Sequence, residues 1–222
     1  MIDFIDIHTH RIEKDENTFS ILNISLPCDE FPKNTTLSIG WHPWFIEPFD
    51  LQQIKNRIEE VAALQNVIAL GECGLDRSIK IPIEKQSEVF RLHLSIARMV
   101  EKPLIIHCVR AYSDLLEILK KEKYLGKFIL HNFNGNQKQI ESFLKFDVFF
   151  SISKQQMIRS QKIIKSLIYI PKERFFLETD DSIFTIQETY SLASDLLNIP
   201  INDLESLIKF NFASVFGSRL VK

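Results

Sequence analysis

The sequence predicts an α/β protein built as a (β/α)8 TIM barrel, and three observations support this fold class. Eight short apolar runs recur along the 222 residues, each with the length of a buried parallel strand. Helical segments separate the later runs, as in right-handed βαβ units. No linker rich in Gly, Ser or Pro and no internal repeat divides the chain. We therefore expect a single barrel domain over residues 1–222, a common size for this fold.

The candidate strands are continuous apolar runs, which is typical of strands buried on both faces. In chain order they are Phe4–Ile7, Phe19–Ile24, Leu37–Gly40, Val67–Leu70, Leu104–Ile106, Phe128–Leu130, Val148–Ile152 and Phe175–Leu177. From the fourth run onward, helices are expected at Pro82–Glu101, Ser113–Lys123, Gln137–Leu144, Gln155–Ile168, Thr185–Leu197 and Asn202–Phe216.

The first third of the chain departs from this regular alternation. Only the charged segment Thr9–Thr18 joins the first run to the second, and the next link, Leu26–Thr36, carries two prolines and no helical period. A parallel crossover needs roughly a dozen or more residues, usually with a helix. We therefore predict a barrel that lacks one or two outer helices in its N-terminal third. The alternative is that the second run folds back antiparallel.

Composition narrows the class of protein. Lys+Arg 27 against Asp+Glu 29 gives a formal charge of −2, which argues against a broadly basic nucleic-acid platform, although a local patch or metal ions can hold phosphates. Three cysteines without a C-x-x-C pair are expected to be reduced thiols of a cytoplasmic protein. We find neither a signal peptide nor a stretch long enough to span a bilayer, so no membrane partner is expected. The sequence indicates no oligomeric state.

Five of the eight runs end on side chains that can bind a metal ion. His8-Thr9-His10 closes the first run, and residues two apart on a strand point to the same side. Glu72, His107, His131 and Asp180 close the fourth, fifth, sixth and eighth runs. In a barrel these strand ends meet at the rim that carries active sites. A single histidine is more often a satisfied core residue, but this set needs cations to balance its charge and predicts a metal site.

The motifs that carry these residues occur in a characteristic order: DIHTHR, GWHPWF, GECGLD, a helix with Gln86 and Phe90, PLIIHCVRA, ILHNFNG and ETD. In this order they resemble the TatD family of metal-dependent hydrolases, within the amidohydrolase-like barrels, and the resemblance covers nearly the whole chain.

The resemblance implies two divalent metal ions. The first would be bound by His8, His10, Glu72 and Asp180, and the second by the bridging Glu72 with His107 and His131. Mixed nitrogen and oxygen ligands without thiolate fit Zn, Mn, Co or Mg, and the family adds weight to Mg in a nuclease. Asp180 is the candidate general base, and Glu72 is the second catalytic residue.

Three motifs depart from the family pattern without replacing a ligand. Cys108-Val109-Arg110 lacks the usual Ser before the Arg, and the sixth motif reads His131-Asn132-Phe133-Asn134-Gly135 in place of H-C-F-S-G. Asp181-Ser182 follow Asp180 where Ser or Ala and then Pro are usual. These departures concern substrate contacts and specificity more than metal binding.

Further residues near the strand ends are candidates for substrate contact. By resemblance His42 lines the substrate pocket; the alternative is a loop histidine packed between two tryptophans. Trp44 and Phe45 could stack a nucleobase or cover the thin flank of the barrel. Arg110 is expected to hold a phosphate, whereas a surface ion pair is the favoured interpretation for Arg77.

Other polar residues are expected to support the structure. His93 lies in the middle of a predicted helix and is interpreted as structural. Glu178 precedes Asp180 by two residues and is a candidate for supporting a ligand. Cys73 and Cys108 are interpreted as core residues.

Two hydrolase functions and one non-enzymatic function fit these residues. The first is a TatD-type deoxyribonuclease or phosphodiesterase acting on DNA. The second is a hydrolase of a small amide, lactone or phosphoester, since one barrel and ligand set hosts varied chemistry. A binding protein with a vestigial site is disfavoured by the complete ligand set.

Overall fold

The computed structural model describes residues 2–12 and 15–217. Within these residues eight strands form one sheet: β1 Phe4–Thr9, β2 Thr18–Ser25, β3 Leu37–Gly40, β4 Val67–Asp76, β5 Leu104–Val109, β6 Phe128–Leu130, β7 Val148–Ser153 and β8 Phe175–Glu178. The strand order follows the chain from β1 to β8, and the pairs β1–β2, β3–β4, β4–β5, β5–β6 and β7–β8 are parallel. This topology is that of a (β/α)8 barrel, so the predicted fold class and all eight strand positions are confirmed.

Eight α-helices are assigned among the described residues: α1 Leu51–Ala62, α2 Ile83–Val100, α3 Tyr112–Lys121, α4 Gln137–Phe143, α5 Lys154–Arg159, α6 Gln161–Leu167, α7 Ile186–Leu197 and α8 Ile201–Phe216. Two short 3-10 helices lie at Pro43–Phe45 and Lys172–Arg174. The helix expected over Gln155–Ile168 is divided at Ser160. That residue is extended and its hydroxyl accepts from the Ile163 N–H, so it caps a new helix.

In the described parts of the first two links the structure has no helix, as the sequence predicts. No helix is found between β1 and β2 or between β2 and β3 in the described parts of these links, residues 10–12, 15–17 and 26–36. Strand β2 runs parallel to β1, with Phe4 opposite Thr18. The antiparallel alternative is therefore wrong.

Helix α1 was not expected, because helices were predicted only from the fourth strand onward. The sequence does carry a signal for it. Asp50 accepts from the Gln53 N–H while the Gln53 side chain accepts from the Asp50 N–H, a capping box. Ile54, Ile58 and Val61 follow at helical spacing and are buried. The described residues lack the two outer helices of the first two links, and the sequence predicts that one or two would be missing.

The chain forms two compact units, divided between Leu22 and Asn23 and between Leu130 and His131. The described part of the first unit contains β1, β7, β8 and α4–α8, and its core includes Ile7, Phe150, Phe176 and Phe212. The second unit, residues 23–130, contains β3–β6 and α1–α3 around core residues such as Ile39, Ile54, Leu94 and Ile105. The single domain expected over residues 1–222 stays a prediction. Among the described helices, none has the length and apolar character needed to cross a membrane.

Candidate metal-binding site

The first unit brings four of the predicted ligands together. His8 lies in β1 and His10 directly follows it, while His131 follows β6 and Asp180 follows β8. The Asp180 Oδ1 atom is 3.7 Å from His8 Nε2 and 3.4 Å from His10 Nε2. The rings of His8 and His131 have centroids 4.4 Å apart, and one ligand atom each from His8, His131 and Asp180 lie within 4.8 Å of one another.

Backbone pairing at the ends of β1 and β8 sets the position of Asp180. The Asp180 N–H donates to the His8 carbonyl at 3.0 Å, and the His10 N–H donates to the Asp180 carbonyl at 3.2 Å. Strand β8 ends at Glu178, so Asp180 lies just beyond the strand, with a left-handed φ of 56°. A non-glycine residue adopts this conformation only where its surroundings hold it there. Here the two backbone hydrogen bonds do so.

Glu178 lies next to this cluster and forms hydrogen bonds with its neighbours. It is fully buried, and its carboxylate accepts from the Asn132 N–H at 2.7 Å and from the Ser151 hydroxyl at 2.5 Å. Burial raises the pKa of Glu178, and hydrogen bonds from His131 and Ser151 oppose that shift. Its Oε1 lies 3.7 Å from Nδ1 of the predicted ligand His131. Asn132 in turn donates from Nδ2 to Asp180 Oδ2 at 2.9 Å, so it restrains the proposed base.

The second unit forms its own cluster around Glu72. The Glu72 Oε1 atom is 2.7 Å from His107 Nδ1 and 3.3 Å from His42 Nε2. One ligand atom from each of these three residues lies within 4.8 Å of the others. The Glu72 backbone N–H donates to Asn23 Oδ1 at 2.7 Å, and the Ser38 hydroxyl donates to the same oxygen at 3.1 Å. Asn23 in β2 therefore forms hydrogen bonds to both β3 and β4 next to Glu72.

Glu72 does not end its strand, contrary to expectation. The apolar run stops at Leu70, but β4 continues to Asp76. The register of β4 against β5 shifts between Leu70 and Cys73, and pairing resumes beyond the shift. Gly74 has a φ of 142°, and a Cβ there would lie 2.1 Å from the His107 carbonyl oxygen. A glycine at this position thus allows β4 to approach β5 beside His107.

Asp76 is a site residue that the sequence interpretation missed. Its Oδ2 is 3.3 Å from His107 Nε2 and accepts from Trp44 Nε1 at 2.8 Å, while Oδ1 accepts from Ser78. Burial raises the pKa of Asp76, but hydrogen bonds from His107, Ser78 and Trp44 outweigh it and hold the pKa well below its usual range. Asp76 is therefore an anion that orients the His107 ring. A second carboxylate four residues after Glu72 in the GECGLD motif was the available signal.

His42 differs from the other histidines in its hydrogen bonding. The Trp44 N–H donates to His42 Nδ1 at 3.2 Å, so the neutral ring carries its proton on Nε2. That proton points toward Glu72. Metal ligation needs a nitrogen lone pair, so this tautomer makes His42 a hydrogen-bond donor rather than a ligand. The substrate contact expected of His42 stays a prediction.

The two arginines near the site have different surroundings. Arg77 forms a bidentate ion pair with Asp114, with distances of 2.6 and 2.7 Å, as the favoured interpretation had it. Arg110 directly follows β5 and is exposed. Among the described residues no hydrogen bond or ion pair is assigned to the Arg110 side chain. The phosphate contact expected of Arg110 stays a prediction.

The remaining polar residues have structural partners. His93 is fully buried; its Nε2 accepts from the Trp41 N–H and its Nδ1 lies 3.0 Å from the Val89 carbonyl oxygen. Cys73 is fully buried and burial raises its thiol pKa. Burial also raises the thiol pKa of Cys108, so this side chain is a protonated thiol rather than a thiolate that would bind a metal ion.

The donor atoms of both clusters suit divalent cations. With metal–ligand bonds of about 2.1 Å, two ligand atoms are about 3.0 Å apart at a right angle and about 3.4 Å apart in a tetrahedron. The distance of 3.4 Å between His10 and Asp180 lies in this range, whereas the 2.7 Å between Glu72 and His107 is that of a hydrogen bond. Imidazole and carboxylate without thiolate fit Zn, Mn or Mg. The residues of the first unit therefore fit a metal ion, and Glu72 and His107 offer carboxylate and imidazole donors in the second.

Comparison with known proteins decides the family. The profile of the TatD-related DNase family matches residues 15–217. The chain belongs to this family. The match begins after His8 and His10, so the prediction that these two residues are ligands depends on their motif and on their distances to Asp180.

Curated members of the TatD family are similar to much of this chain. An uncharacterized metal-dependent hydrolase of Bacillus subtilis, YabD, is 33% identical over 153 residues, which cover 67% of this chain and 59% of YabD. TatD of a Rahnella species, described as a 3′-5′ ssDNA/RNA exonuclease, is 30% identical over 179 residues, 79% of this chain and 65% of that protein. The chain thus spans less than two thirds of either relative.

A solved TatD-family structure has the same fold. YjjV, a TatD homologue from Escherichia coli K12, superposes with a TM-score of 0.82 at 19% sequence identity, covering 96% of this chain and 98% of YjjV. This likeness agrees with the barrel topology of the eight strands.

Proposed function

We propose that this TatD-family chain is a metal-dependent hydrolase that cleaves phosphodiester bonds in DNA. The observation that carries the proposal is that His8, His131 and Asp180 lie at metal-ligand spacing in one unit, while the other places the Glu72 carboxylate beside the His107 imidazole. Such side chains are typical of sites that bind metal ions which activate water for hydrolysis.

Two divalent ions, Mg, Zn or Mn, are the proposed cofactors. Six residues supply the proposed ligands: His8, His10, Glu72, His107, His131 and Asp180. When bound, such ions lower the pKa of a water molecule and offset charge on phosphate oxygens. Glu72, 4% exposed and close to His107, is the proposed second catalytic residue.

Asp180 is the proposed general base. Its side chain is 17% exposed, so water can reach it, whereas His8 beside it is fully buried. Asn132 holds one carboxylate oxygen by a hydrogen bond, and the carboxylate is proposed to accept the proton of the attacking water. Arg110 presents a charged guanidinium and His42 lies beside Glu72, and both are proposed to hold phosphate oxygens.

Local charge supports a nucleic-acid substrate. Residues 154–168, which include α5 and α6, carry Lys154, Arg159, Lys162 and Lys165 and no acidic residue, in a chain of net charge −2. Lys162 donates to the Asn134 carbonyl at 2.6 Å, which places the basic segment against the loop that follows His131. The Rahnella relative described as an ssDNA/RNA exonuclease points to the same substrate class.

We also propose a cytoplasmic location, supported by three cysteines that are free thiols rather than disulfides.

The proposed base and substrate can be tested in one assay. Wild type, Asp180→Asn and Asp181→Asn are incubated with single-stranded DNA and with a panel of small phosphoesters, lactones and amides in Mg, Mn or Zn. We expect cleavage of DNA by the wild type, a loss of roughly 10²- to 10⁴-fold for Asp180→Asn, and near-normal activity for the exposed neighbour Asp181→Asn.

Retained activity in Asp180→Asn would remove Asp180 as base. Turnover of a small substrate with no DNA cleavage in any metal would replace the nuclease by the small-molecule hydrolase.

A further inference from the structure

Trp44 is the most exposed aromatic side chain beside the Glu72 cluster. Its side chain is 56% exposed, although its indole is held by a hydrogen bond from Nε1 to Asp76 Oδ2 at 2.8 Å. The ring lies edge-on to His42, with centroids 5.0 Å apart, and 6.3 Å from the ring of His107. A large apolar ring is thus fixed in solvent next to two proposed site histidines.

The turn that carries Trp44 is braced on both sides. Trp41 is buried, and its indole N–H donates to the Phe45 carbonyl at 2.8 Å. His93 accepts from the Trp41 N–H at 3.0 Å, and Pro43 limits the backbone φ between them. A ligand that contacts the Trp44 ring therefore loses little free energy to ordering this turn.

The hydrogen bond from the Trp44 indole N–H to Asp76 limits the chemical class of ligand that the ring can bind. Nε1 is the only polar atom of the Trp44 side chain, and it is already bonded to Asp76. What the ring offers to solvent is its apolar and π surface, which selects flat aromatic groups without reading their hydrogen-bonding edges. Every nucleobase has such a face, but in a duplex it is covered by neighbouring base pairs.

We propose that Trp44 stacks on one unpaired base of the nucleic-acid substrate, close to the phosphodiester that is cleaved. This inference rests on the proposed function and adds two statements to it: the substrate is single-stranded at this position, and base identity there matters little. Stacking of a base on an aromatic ring contributes a factor of roughly 5 to 150 in affinity.

A cycle of protein and substrate changes tests the stacking. Six-nucleotide oligothymidylates, each with one abasic residue at a successive position, are cleaved by wild type, Trp44→Leu, Trp44→Phe and Phe210→Leu. In the wild type one abasic position should lower kcat/KM by roughly 5- to 150-fold, and this loss should disappear in Trp44→Leu. Trp44→Phe should keep most of it. Phe210→Leu, which alters an exposed ring on α8, should keep all of it.

Binding without cleavage gives a second readout. The chain has two tryptophans, and Trp41 is only 2% exposed. Oligothymidylate added to wild type in EDTA should therefore quench exposed-tryptophan fluorescence, and Trp44→Phe should show little quenching.

Each outcome decides a separate point. A position-specific abasic loss that persists in Trp44→Leu overturns the stacking, as does the absence of any abasic loss while DNA is cleaved; the proposed function survives both. Quenching without cleavage supports the stacking of a base on Trp44 but contradicts the proposed hydrolysis. Neither quenching nor cleavage contradicts both.

Discussion

His93 makes the stability of the protein depend on pH in a predictable way. Its ring is fully buried on α2, and burial lowers its pKa to about 4. In the unfolded chain the pKa of the same side chain is about 6.5. Between these values the unfolded chain binds a proton that the folded chain excludes, so stability is complete above about pH 6.5 and is lost as the pH falls. Over the whole interval the loss is about 3 kcal/mol, and between pH 7 and pH 5 it is about 2 kcal/mol.

Replacement of His93 by Gln removes the titration while an amide oxygen can still accept from the Trp41 N–H. Urea unfolding of wild type and His93→Gln at pH 7 and pH 5, both in EDTA, isolates the contribution of this one residue. The wild type should lose about 2 kcal/mol more than the variant between the two pH values. Equal losses in the two proteins would refute a buried neutral His93.

Three further predictions concern substrate contacts and domain structure. Arg110→Gln should lower kcat/KM on DNA by roughly 10- to 150-fold, whereas Arg77→Gln, whose ion pair with Asp114 already engages it, should change kcat/KM less than about twofold; equal effects would contradict a phosphate contact at Arg110. The double variant Arg159→Gln/Lys165→Gln should reduce the slope of log affinity for single-stranded DNA against log salt by about 1.4, and an unchanged slope would remove α5–α6 from the binding surface. Calorimetric unfolding should show one transition with equal calorimetric and van't Hoff enthalpies, because β2 runs through the boundary between the two units; two transitions would contradict the single domain.

The strands and the proposed ligands were accessible to sequence analysis because they depend on local signals. Buried parallel strands read as apolar runs, and a His or carboxylate at the end of such a run stands out. His8, His107 and His131 were recognised in this way. The extent of β4 was not, because Gly71 and Glu72 interrupt its apolar run while the backbone still pairs with β5.

The residues that contact the predicted ligands were harder to find in the sequence. Asn23 and Asp76 act through partners that are distant in sequence: Asn23 accepts from the Glu72 N–H, and Asp76 accepts from Trp44. Periodicity identifies the face of a strand but not the side chain opposite it. The tautomer of His42 likewise follows from the backbone of a 3-10 turn, which has no distinct signature in the sequence.

The metal content of the active protein tests the central claim most directly. Protein stripped with EDTA and reloaded with Mn or Zn is analysed for bound metal and assayed on single-stranded DNA at each step. The account predicts up to two ions per chain, cleavage that is lost on stripping and restored on reloading, and a lower metal content in His131→Ala and Glu72→Gln. A stripped protein that cleaves DNA as well as the reloaded one, or a reloaded protein that holds no metal, would contradict it.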